Sequence, residues 1–459
     1  MLVPHEPEKD PRVMWVLALC KDIQGTDVLG SVWSTRRRFR DYDGTTFIER
    51  FSIFDHAPLS TKVANALFEK IDAAATKLLA AFGRENSRVP GSANAIDSPS
   101  ETASPSATGR RASILRRIGQ MTLNLVGRPL RSLQMLFRFL WAWSAYAIIM
   151  GAIYRRARSI SILPRVCICH DIYALIPGVL LKQLIGCRVI YDSHELWSED
   201  DLFVQGPMKR LVRMIERPFI RRADAVVTVT PQIARHLERA YGLSKVIVAP
   251  NAEPFKSAII PSCRRPVAQP VRFLLQGGAA KGRGIETLLA AWRCLRDERA
   301  QLYLRCVGEP FLADLARDFS DLIEAKQLVM LQPVSEEQLI EAATFADVGI
   351  IPYSGPNLNH VYACPNKLSQ YMHAGLAVLS NRLEFVSEVV NGYQCGLIYD
   401  SDRSESLLTA VRNLLDRPDE LQRMKENAYQ AARTSFNWEV ASQSYRGAIL
   451  GFVSSERRA

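Results

Sequence analysis

Short apolar runs alternate with stretches of helical periodicity along most of the 459-residue chain. Such runs predict buried strands, and the longer periodic stretches predict amphipathic helices. In the first half, helices are predicted at residues 64–82 and 172–185, and a third begins at Thr230-Pro231, an N-cap residue followed by proline in the first turn. The strands predicted in this half are 13–19, 47–54, 165–169, 188–191, 225–229 and 246–248.

The same alternation returns after a polar, proline-rich segment at 261–270, which is predicted to link two domains. The strands predicted in the second half are 273–275, 302–307, 329–331, 348–351, 377–379 and 396–398. Strands that alternate with helices form parallel sheets with crossover helices. Two such blocks in tandem predict an α/β protein of two Rossmann-like domains, with a ligand cleft at the carboxyl ends of the strands.

The pattern divides the chain into two domains, 1–258 and 259–436, followed by a helical segment at 437–459 that is a candidate for packing back on the first domain. Within the first domain, residues 83–113 are rich in Ser, Ala, Pro and Gly and contain almost no large apolar side chains. Such a stretch cannot bury enough surface to offset the entropy of ordering it, so it is predicted to be a disordered insert.

A basic apolar segment at 110–158 follows the insert and ends in an uncharged run at 139–154, with Arg155, Arg156 and Arg158 behind it. The run is shorter than the roughly 20 apolar residues that a spanning helix needs. One interpretation is an amphipathic or partly inserted helix lying on anionic lipid. The other is a core helix of the first domain with a solvated basic end.

The charge balance favours an anionic partner. Lys plus Arg number 58 against 47 Asp plus Glu, a net charge of +11, which suits phosphates, nucleic acid or an anionic membrane face. Nucleic acid is not expected, because the positive charge concentrates at 110–158 without interleaved stacking motifs. The nine cysteines show no Cys-x-x-Cys pair, and residues 1–10 form no apolar signal region. These features predict reduced core thiols in a cytoplasmic protein.

A glycine-rich loop, 276–284, lies between a predicted strand and a predicted helix. Gly277 and Gly278 allow backbone N–H groups to approach a phosphate closely, while Lys281 and Arg283 add positive charge. The alternative is a flexible basic turn.

A second candidate anion site is the start of the helix that begins at Pro365-Asn366 and ends at Gly375. A helix N-terminus presents N–H groups and a positive dipole end to an anion. Lys367 stands in the first turn, where a cation is unfavourable without an anionic ligand. The alternative is an ordinary crossover helix.

Two histidines follow predicted strands of the first domain. His194 is flanked by Asp192 and Glu195, and His170 precedes Asp171. Either histidine could hydrogen-bond a hydroxyl or position an acceptor, or could be structural. The Asp-x-Asp pairs at 41–43 and 400–402 are interpreted as solvated loops, so no metal is expected.

These segments, in this order and spacing, resemble the family 4 glycosyltransferases of the GT-B fold from about Arg165 to the C-terminus. The resemblance implies two Rossmann-like domains facing across a cleft, the first on the acceptor side and the second binding a sugar nucleotide. It implies a retaining transferase without metal or other cofactor, acting in polysaccharide or glycoconjugate biosynthesis. The residues that carry it are His170-Asp171, Tyr191-Asp192-Ser193-His194-Glu195, the segment 223–230, Pro250-Asn251, Lys281-Gly282-Arg283-Gly284, Pro365-Asn366-Lys367-Leu368 and Ala374-Gly375.

The resemblance also assigns roles. His194 would contact the donor sugar at the reaction centre. The leaving phosphate would be stabilised electrostatically while the acceptor attacks. The donor-binding candidates are Gly277, Gly278, Lys281, Arg283, Asn366, Lys367, Leu368 and Gln370, and the acceptor-side candidates are Gly25, His170, Asp171 and Glu195.

The sequence departs from the family at three donor positions. Gln370 stands where a ribose-binding glutamate is usual, with Tyr362 at the earlier glutamate position, and Gln276-Gly277-Gly278 stands where an arginine is usual. Gln can still hydrogen-bond hydroxyls but carries no charge. The alternatives are therefore a non-catalytic sugar-nucleotide-binding or scaffold subunit, and a sugar-nucleotide epimerase. For the transferase, a glycan or lipid-linked acceptor is expected, with segment 110–158 docking on the inner face of the cytoplasmic membrane.

Overall fold

The computed structural model describes residues 2–3, 10–23, 28–33, 40–42, 46–51, 164–199, 207–353, 357–401 and 403–454. Gly25, the predicted helix at 64–82, the predicted insert at 83–113 and the basic apolar segment at 110–158 lie outside these ranges. Among the helices inside them, none is both long and apolar enough to cross a membrane.

The first domain is built on an eight-stranded sheet with the order β3-β4-β2-β1-β5-β6-β7-β8. Every pairing is parallel except that of β3 with β4. The strands are β1 (Leu2–Val3), β2 (Val28–Trp33), β3 (Arg40–Tyr42), β4 (Thr46–Phe51), β5 (Val166–His170), β6 (Arg188–Ser193), β7 (Ala225–Thr228) and β8 (Ile247–Val248).

The second domain is built on a six-stranded parallel sheet with the order β11-β10-β9-β12-β13-β14. The order reverses between β9 and β12, and in doubly wound sheets the ligand binds at such a switch point. All six strands were predicted from the apolar runs. They are β9 (Val271–Gly278), β10 (Ala300–Val307), β11 (Leu328–Met330), β12 (Val348–Ile351), β13 (Ala377–Asn381) and β14 (Gly396–Tyr399).

Helices cover both sheets. In the first domain they are α1 (Pro11–Lys21), α2 (Asp171–Ile185), α3 (Pro207–Ile220) and α4 (Pro231–Tyr241). From the second domain to the C-terminus they are α5 (Ile285–Leu295), α6 (Phe311–Asp318), α7 (Ser320–Glu324), α8 (Leu339–Ala343), α9 (Leu358–Val361), α10 (Asn366–His373), α11 (Glu384–Tyr393), α12 (Ser404–Asp416), α13 (Pro418–Thr434), α14 (Trp438–Ala441) and α15 (Gln443–Ser454). The predicted start of α4 is confirmed, because the Thr230 side chain accepts a hydrogen bond from Ile233 N.

Two sequence-based assignments near the N-terminus are wrong. Residues 13–19, predicted as a strand, belong to helix α1, because Asp10 accepts a hydrogen bond from Arg12 N at 3.0 Å and Pro11 occupies the first turn. Most of the helix is buried, so its sequence is an almost continuous apolar run without an amphipathic pattern. Asp41, predicted to lie in a loop, is in strand β3, which pairs antiparallel with β4.

The C-terminal helices pack on the first domain. Trp438, Tyr445 and Ile449 share a hydrophobic cluster with Trp15 and Ile168, and the Trp15 and Trp438 ring centroids are 5.5 Å apart. The last helices of the chain therefore cross from the second domain and cover helix α1 and the first sheet.

The two domains meet around residues 357–369 of the second domain. The backbone N–H of Leu196 donates to Asn359 Oδ1 at 2.8 Å. Thr230 Oγ1 donates to the Tyr362 carbonyl at 3.0 Å, and Asn251 Nδ2 donates to the Cys364 carbonyl at 3.0 Å. These loops of the first domain therefore fix the segment that leads into helix α10.

Candidate active site between the two domains

Helix α10 is anchored to the switch point of the second sheet by Tyr371. Its hydroxyl accepts a hydrogen bond from Gln276 N at 3.0 Å and donates to the Ile350 carbonyl at 3.3 Å. The ring crosses strand β12 at Gly349, where a Cβ would come within 2.2 Å of the ring. This packing places the start of α10 beside the end of β9, since a Cβ on Gly277 would lie 3.9 Å from Lys367 Cε.

Two cations, Lys367 and Arg283, lie within electrostatic reach of each other at this point. The partly buried Lys367 ammonium lies 5.6 Å from the centroid of the Tyr353 ring. Burial lowers the pKa of Lys367 to about 8; the nearby Cys306 opposes this shift and Arg283 reinforces it. Within the described ranges, no carboxylate forms an ion pair with either cation. An anion bound beside Gly277 would therefore gain attraction that protein carboxylates do not already satisfy.

The other predicted donor residues occupy different environments. Gly278 and Lys281 are exposed on the loop after β9. The Asn366 Oδ1 atom is buried and has no hydrogen-bond partner among the described residues. Leu368 is fully buried and its N–H donates to the Pro365 carbonyl at 3.0 Å, so it anchors the helix in the core.

Gln370 is buried, and both its amide nitrogen and its amide oxygen have hydrogen-bond partners. Its Nε2 donates to Glu253 Oε1 at 3.2 Å and to Glu336 Oε1 at 2.9 Å, while its Oε1 accepts from Gln276 Nε2 at 3.2 Å. Burial raises the pKa of Glu253 to about 7, and Gln370 opposes that rise. A glutamate at position 370 would add a third carboxylate to this group, which like-charge repulsion disfavours.

Across the cleft, Arg12 and Asp192 form a buried ion pair. Arg12 Nη2 donates to Asp192 Oδ1 at 2.8 Å and its Nε lies 3.1 Å from Oδ2. Arg12 Nη1 also donates to the Ala249 carbonyl at 2.7 Å and to Asn251 Oδ1 at 3.1 Å. Burial alone would raise the pKa of Asp192, but Arg12 and His194 outweigh burial and hold it well below its usual range.

His170 and His194 meet at the carboxyl ends of β5 and β6. Their Nδ1 and Nε2 atoms are 3.0 Å apart. Burial lowers the pKa of His170 to about 3. Burial also opposes protonation of His194, but the carboxylates of Asp171, Asp192 and Asp10 raise its pKa to about 9. At neutral pH, therefore, a protonated His194 donates to a neutral His170.

Three atoms in this cluster lie at a spacing that one metal ion could bridge. His170 Nδ1, His194 Nε2 and Asp192 Oδ2 are separated by 3.0, 3.5 and 3.6 Å. The Arg12 guanidinium already neutralises Asp192, and its charge opposes a second cation there. The two histidines can alternatively share a proton, in keeping with the opposite shifts of their pKa values.

The remaining acceptor-side candidates flank this cluster. Asp171 is buried beside His194, and Glu195 is exposed. Burial raises the pKa of Tyr353; Arg283 of the second domain opposes this rise and Glu195 of the first domain reinforces it. Tyr353 therefore lies between the charged groups of both domains, next to Lys367.

Several residues of the two clusters were not among the predicted site residues. Asp10-Pro11 has the same N-cap and proline signal that revealed helix α4, and that signal could have placed Arg12 on a helix. Asp192 stands in a buried apolar strand, where a carboxylate needs a partner. The contacts of Gln370 with Glu253 and Glu336 join distant parts of the sequence and leave no local signal.

Comparisons with known proteins match both halves of the chain to glycosyltransferases. The family described as "Glycosyl transferase 4-like domain" matches residues 101–252, and "Glycosyl transferases group 1" matches residues 268–431. The chain is 23% identical over 303 residues to the glycogen synthase of Mycobacterium tuberculosis, covering 64% of this chain and 70% of that protein. It is 22% identical over 298 residues to D-inositol 3-phosphate glycosyltransferase of Rhodococcus jostii, covering 60% and 64%.

The solved structure of sucrose-phosphate synthase from Thermosynechococcus elongatus shows the same fold. It superimposes with a TM-score of 0.66 at 14% identity, covering 99% of this chain and 98% of that one. The likeness extends over both domains, and it confirms the fold class predicted from the sequence.

Proposed function

We propose that this chain, which belongs to the family 4 glycosyltransferases of the GT-B fold, transfers a sugar from a nucleotide-sugar donor to a glycan or lipid-linked acceptor with retention of configuration. Both family matches and the named relatives support glycosyl transfer. One relative is named for a polysaccharide and the other for a phosphorylated polyol, so relatives of this chain act on different acceptors.

The observation that carries the proposal is the cationic pair beside the switch point. Lys367 lies next to Gly277 at the start of helix α10, and Arg283 is near enough to lower its pKa. Neither cation has a carboxylate partner in the described part of the chain. A donor diphosphate carries the negative charge that this arrangement lacks. The helix N-terminus and the backbone of the glycine loop add N–H groups for its oxygens.

In the proposed reaction, the protein supplies charge and orientation. Lys367 and Arg283 neutralise the leaving diphosphate as the glycosidic bond to phosphate breaks. Protonated His194 stands at the cleft end of β6, where it can hold the donor sugar, and His170 keeps it oriented. A hydroxyl group of the acceptor enters from the first-domain side, beside Glu195, and its oxygen bonds to the anomeric carbon on the face that the diphosphate leaves. The hydroxyl proton passes to the departing phosphate oxygen.

A screen of nucleotide sugars tests this proposal. We expect at least one nucleotide sugar to raise the thermal midpoint of the wild-type protein, because a ligand that binds the folded state stabilises it. Release of nucleotide from that donor should fall about 10²–10³-fold in Lys367→Met, the usual loss for one electrostatic contact to a developing charge. Lys245→Met removes an exposed lysine and serves as the matched control. A folded wild-type protein that binds no nucleotide sugar would contradict the proposal.

A non-catalytic binding subunit is the second candidate, because Gln370 occupies the usual position of a ribose-binding glutamate. Its amide is bonded to Glu253 and Glu336, so local carboxylates account for the glutamine without loss of catalysis. Turnover by the wild-type protein would exclude this candidate. An epimerase would instead produce an altered sugar nucleotide in the absence of any acceptor.

We also propose that the basic apolar segment at 110–158 docks the enzyme on the cytoplasmic membrane face, near a lipid-linked acceptor. Anionic lipid attracts clustered arginines next to an apolar stretch. Flotation with phosphatidylglycerol vesicles should recover the wild type but little of the variant with Arg155, Arg156 and Arg158 changed to Gln. Equal recovery of both proteins would reject the docking.

A further inference from the structure

A cavity of about 470 Å³ lies at the domain boundary. Its lining includes neither Lys367 and Arg283, the donor cluster, nor His170, Asp192 and His194, the histidine cluster. Helix α4 forms much of its wall, helix α3 contributes one side chain, and the second domain closes it. Its polar lining consists of Arg213, Gln232, Arg235, His236 and Arg239 of the first domain and Tyr362 and Glu384 of the second, so arginines outnumber carboxylates. The volume is within the range of about 300–1,000 Å³ that is typical of small-molecule sites.

The cavity has an excess of positive charge. Arg213 is bonded to the Glu199 carboxylate. Arg235 and Arg239 stand one turn apart on helix α4 and, among the described residues, neither forms an ion pair. Like charges at this spacing destabilise a helix. A ligand that carries a phosphate group would remove that repulsion, and guanidinium groups bind phosphate through paired hydrogen bonds.

Two buried polar atoms in the same wall have unused hydrogen-bonding capacity. The Gln232 side chain is only 3% exposed, and its Nε2 donates to Glu388 Oε1 at 2.8 Å. Its Oε1 and the Nε2 of His236 are buried without a hydrogen-bond partner among the described residues. Buried polar atoms are nearly always satisfied in folded proteins. An amide oxygen needs a donor, so the missing partner is a hydroxyl or another N–H/O–H group, which a bare phosphate dianion does not provide.

We propose that this cavity binds a phosphate ester of a sugar or polyol, separately from the donor diphosphate. Arg235 and Arg239 hold the phosphate, and the hydroxyl groups of the ligand donate to Gln232 Oε1 and contact His236. The cavity volume accommodates a hexose phosphate.

The position of the cavity links such a ligand to the donor segment. Tyr362 lines the cavity, accepts a hydrogen bond from Thr230 through its carbonyl, and precedes the Cys364-Pro365 start of helix α10. A bound phosphate ester would thus contact both domains at the segment that leads into helix α10. The ligand is either the acceptor itself or an effector that is not consumed, and the two sources share the same binding chemistry.

Calorimetric titration with glucose 6-phosphate tests the site, with glucose as the uncharged comparison and ionic strength held constant because salt screens exposed arginines. Four proteins are compared: the wild type, Arg235→Gln/Arg239→Gln, Lys367→Met, and the matched control Arg412→Gln/Arg433→Gln. The control removes two exposed arginines from helices of the second domain. We expect the cavity variant to bind glucose 6-phosphate at least about tenfold more weakly, the loss of more than one charge-assisted hydrogen bond. The other three proteins should bind alike, and Arg235→Lys/Arg239→Lys should recover part of the affinity.

Three results would overturn the site. The first is that glucose 6-phosphate binds the wild type no better than glucose does. The second is that the cavity variant binds glucose 6-phosphate as tightly as the wild type does. The third is that Lys367→Met no longer binds glucose 6-phosphate, which would place the phosphate in the donor cluster. None of these readouts requires donor turnover, so they are independent of the proposed transferase activity. Mass analysis after incubation with donor then separates the sources, because an acceptor gains a sugar whereas an effector is recovered unchanged.

Discussion

The two walls of the cleft balance their charges in opposite ways. On the first-domain wall, Arg12 and Asp192 neutralise each other, and the carboxylates around His194 hold its proton. On the second-domain wall, Lys367 and Arg283 lie together without carboxylate partners in the described ranges. A buried charge is stable when it is paired with an opposite charge. Without a partner, burial shifts its pKa so that the neutral form is favoured. The charges of the first wall are therefore already paired in the folded protein. The positive charges of the second wall become paired only when an anion binds.

The difference separates residues that build the site from residues that bind the donor. The Arg12–Asp192 pair holds helix α1 against the end of β6 and keeps His194 in place. Lys367 contributes little to the fold, because its partly buried ammonium has a lowered pKa. Substitutions on the first wall should therefore mainly lower stability. Substitutions on the second wall should mainly weaken donor binding.

The largest expected effect is on stability in Arg12→Met. Removing Arg12 takes away the closest cation of the buried Asp192, at 2.8 Å, and leaves His194 at 3.5 Å, so it should lower the free energy of unfolding by about 3–5 kcal/mol. Urea denaturation measures this change, with exposed Arg433→Met expected to stay within about 0.5 kcal/mol of the wild type. A loss below about 1 kcal/mol in Arg12→Met, the level of an exposed ion pair, would show that the first wall does not depend on this pair.

Lys367→Met should behave in the opposite way. In the folded protein at pH 7, keeping this ammonium charged is unfavourable because its pKa is lowered to about 8. Methionine has a similar apolar stem and no charge, so the free energy of unfolding should stay equal or rise by roughly 1–3 kcal/mol while donor affinity falls. A destabilised Lys367→Met protein would mean that the lysine has a structural partner. It would contradict the claim that the second wall serves binding rather than stability.

The third prediction concerns how the stability of His194→Gln depends on pH rather than its stability at one pH. The pKa of His194 rises from its ordinary 6.5 to about 9 in the folded protein. Its protonated form therefore stabilises the fold fully below pH 6.5, and this contribution is lost as the pH rises through 9. The difference in unfolding free energy between the wild type and the variant should shrink by roughly 3 kcal/mol between pH 6 and pH 9.5. A difference that stays constant would show that His194 is not held as a cation.

The sequence predicted those parts of the molecule that have local signals. The six strands of the second domain are short apolar runs bounded by polar turns, and the start of α10 at Asn366 follows from Pro365 and the closing Gly375. Lys367 was identified because a cation in the first turn of a helix conflicts with the helix dipole. The structure places Lys367 next to Gly277, and its role in donor binding stays a prediction.

The missed features depend on contacts between distant residues. Helix α1 was mistaken for a strand because burial on most sides removed its amphipathic pattern, although Asp10-Pro11 marks its start. The Arg12–Asp192 pair joins the first helix to a strand far along the chain. Gln370 is a departure from the family in sequence, but its amide is explained only when Glu253 and Glu336 are seen beside it.

The most direct test of the donor cluster is the number of protons taken up when a nucleotide sugar binds at pH 8. Calorimetry in buffers of different ionisation enthalpy measures this number. Lys367 is half protonated near its pKa of about 8, and a bound diphosphate should raise that pKa, so we predict an uptake of about half a proton. Lys367→Arg should bind with little uptake because arginine stays charged. No uptake by the wild type, or equal uptake by Lys367→Arg, would contradict the assignment of Lys367 to the donor diphosphate.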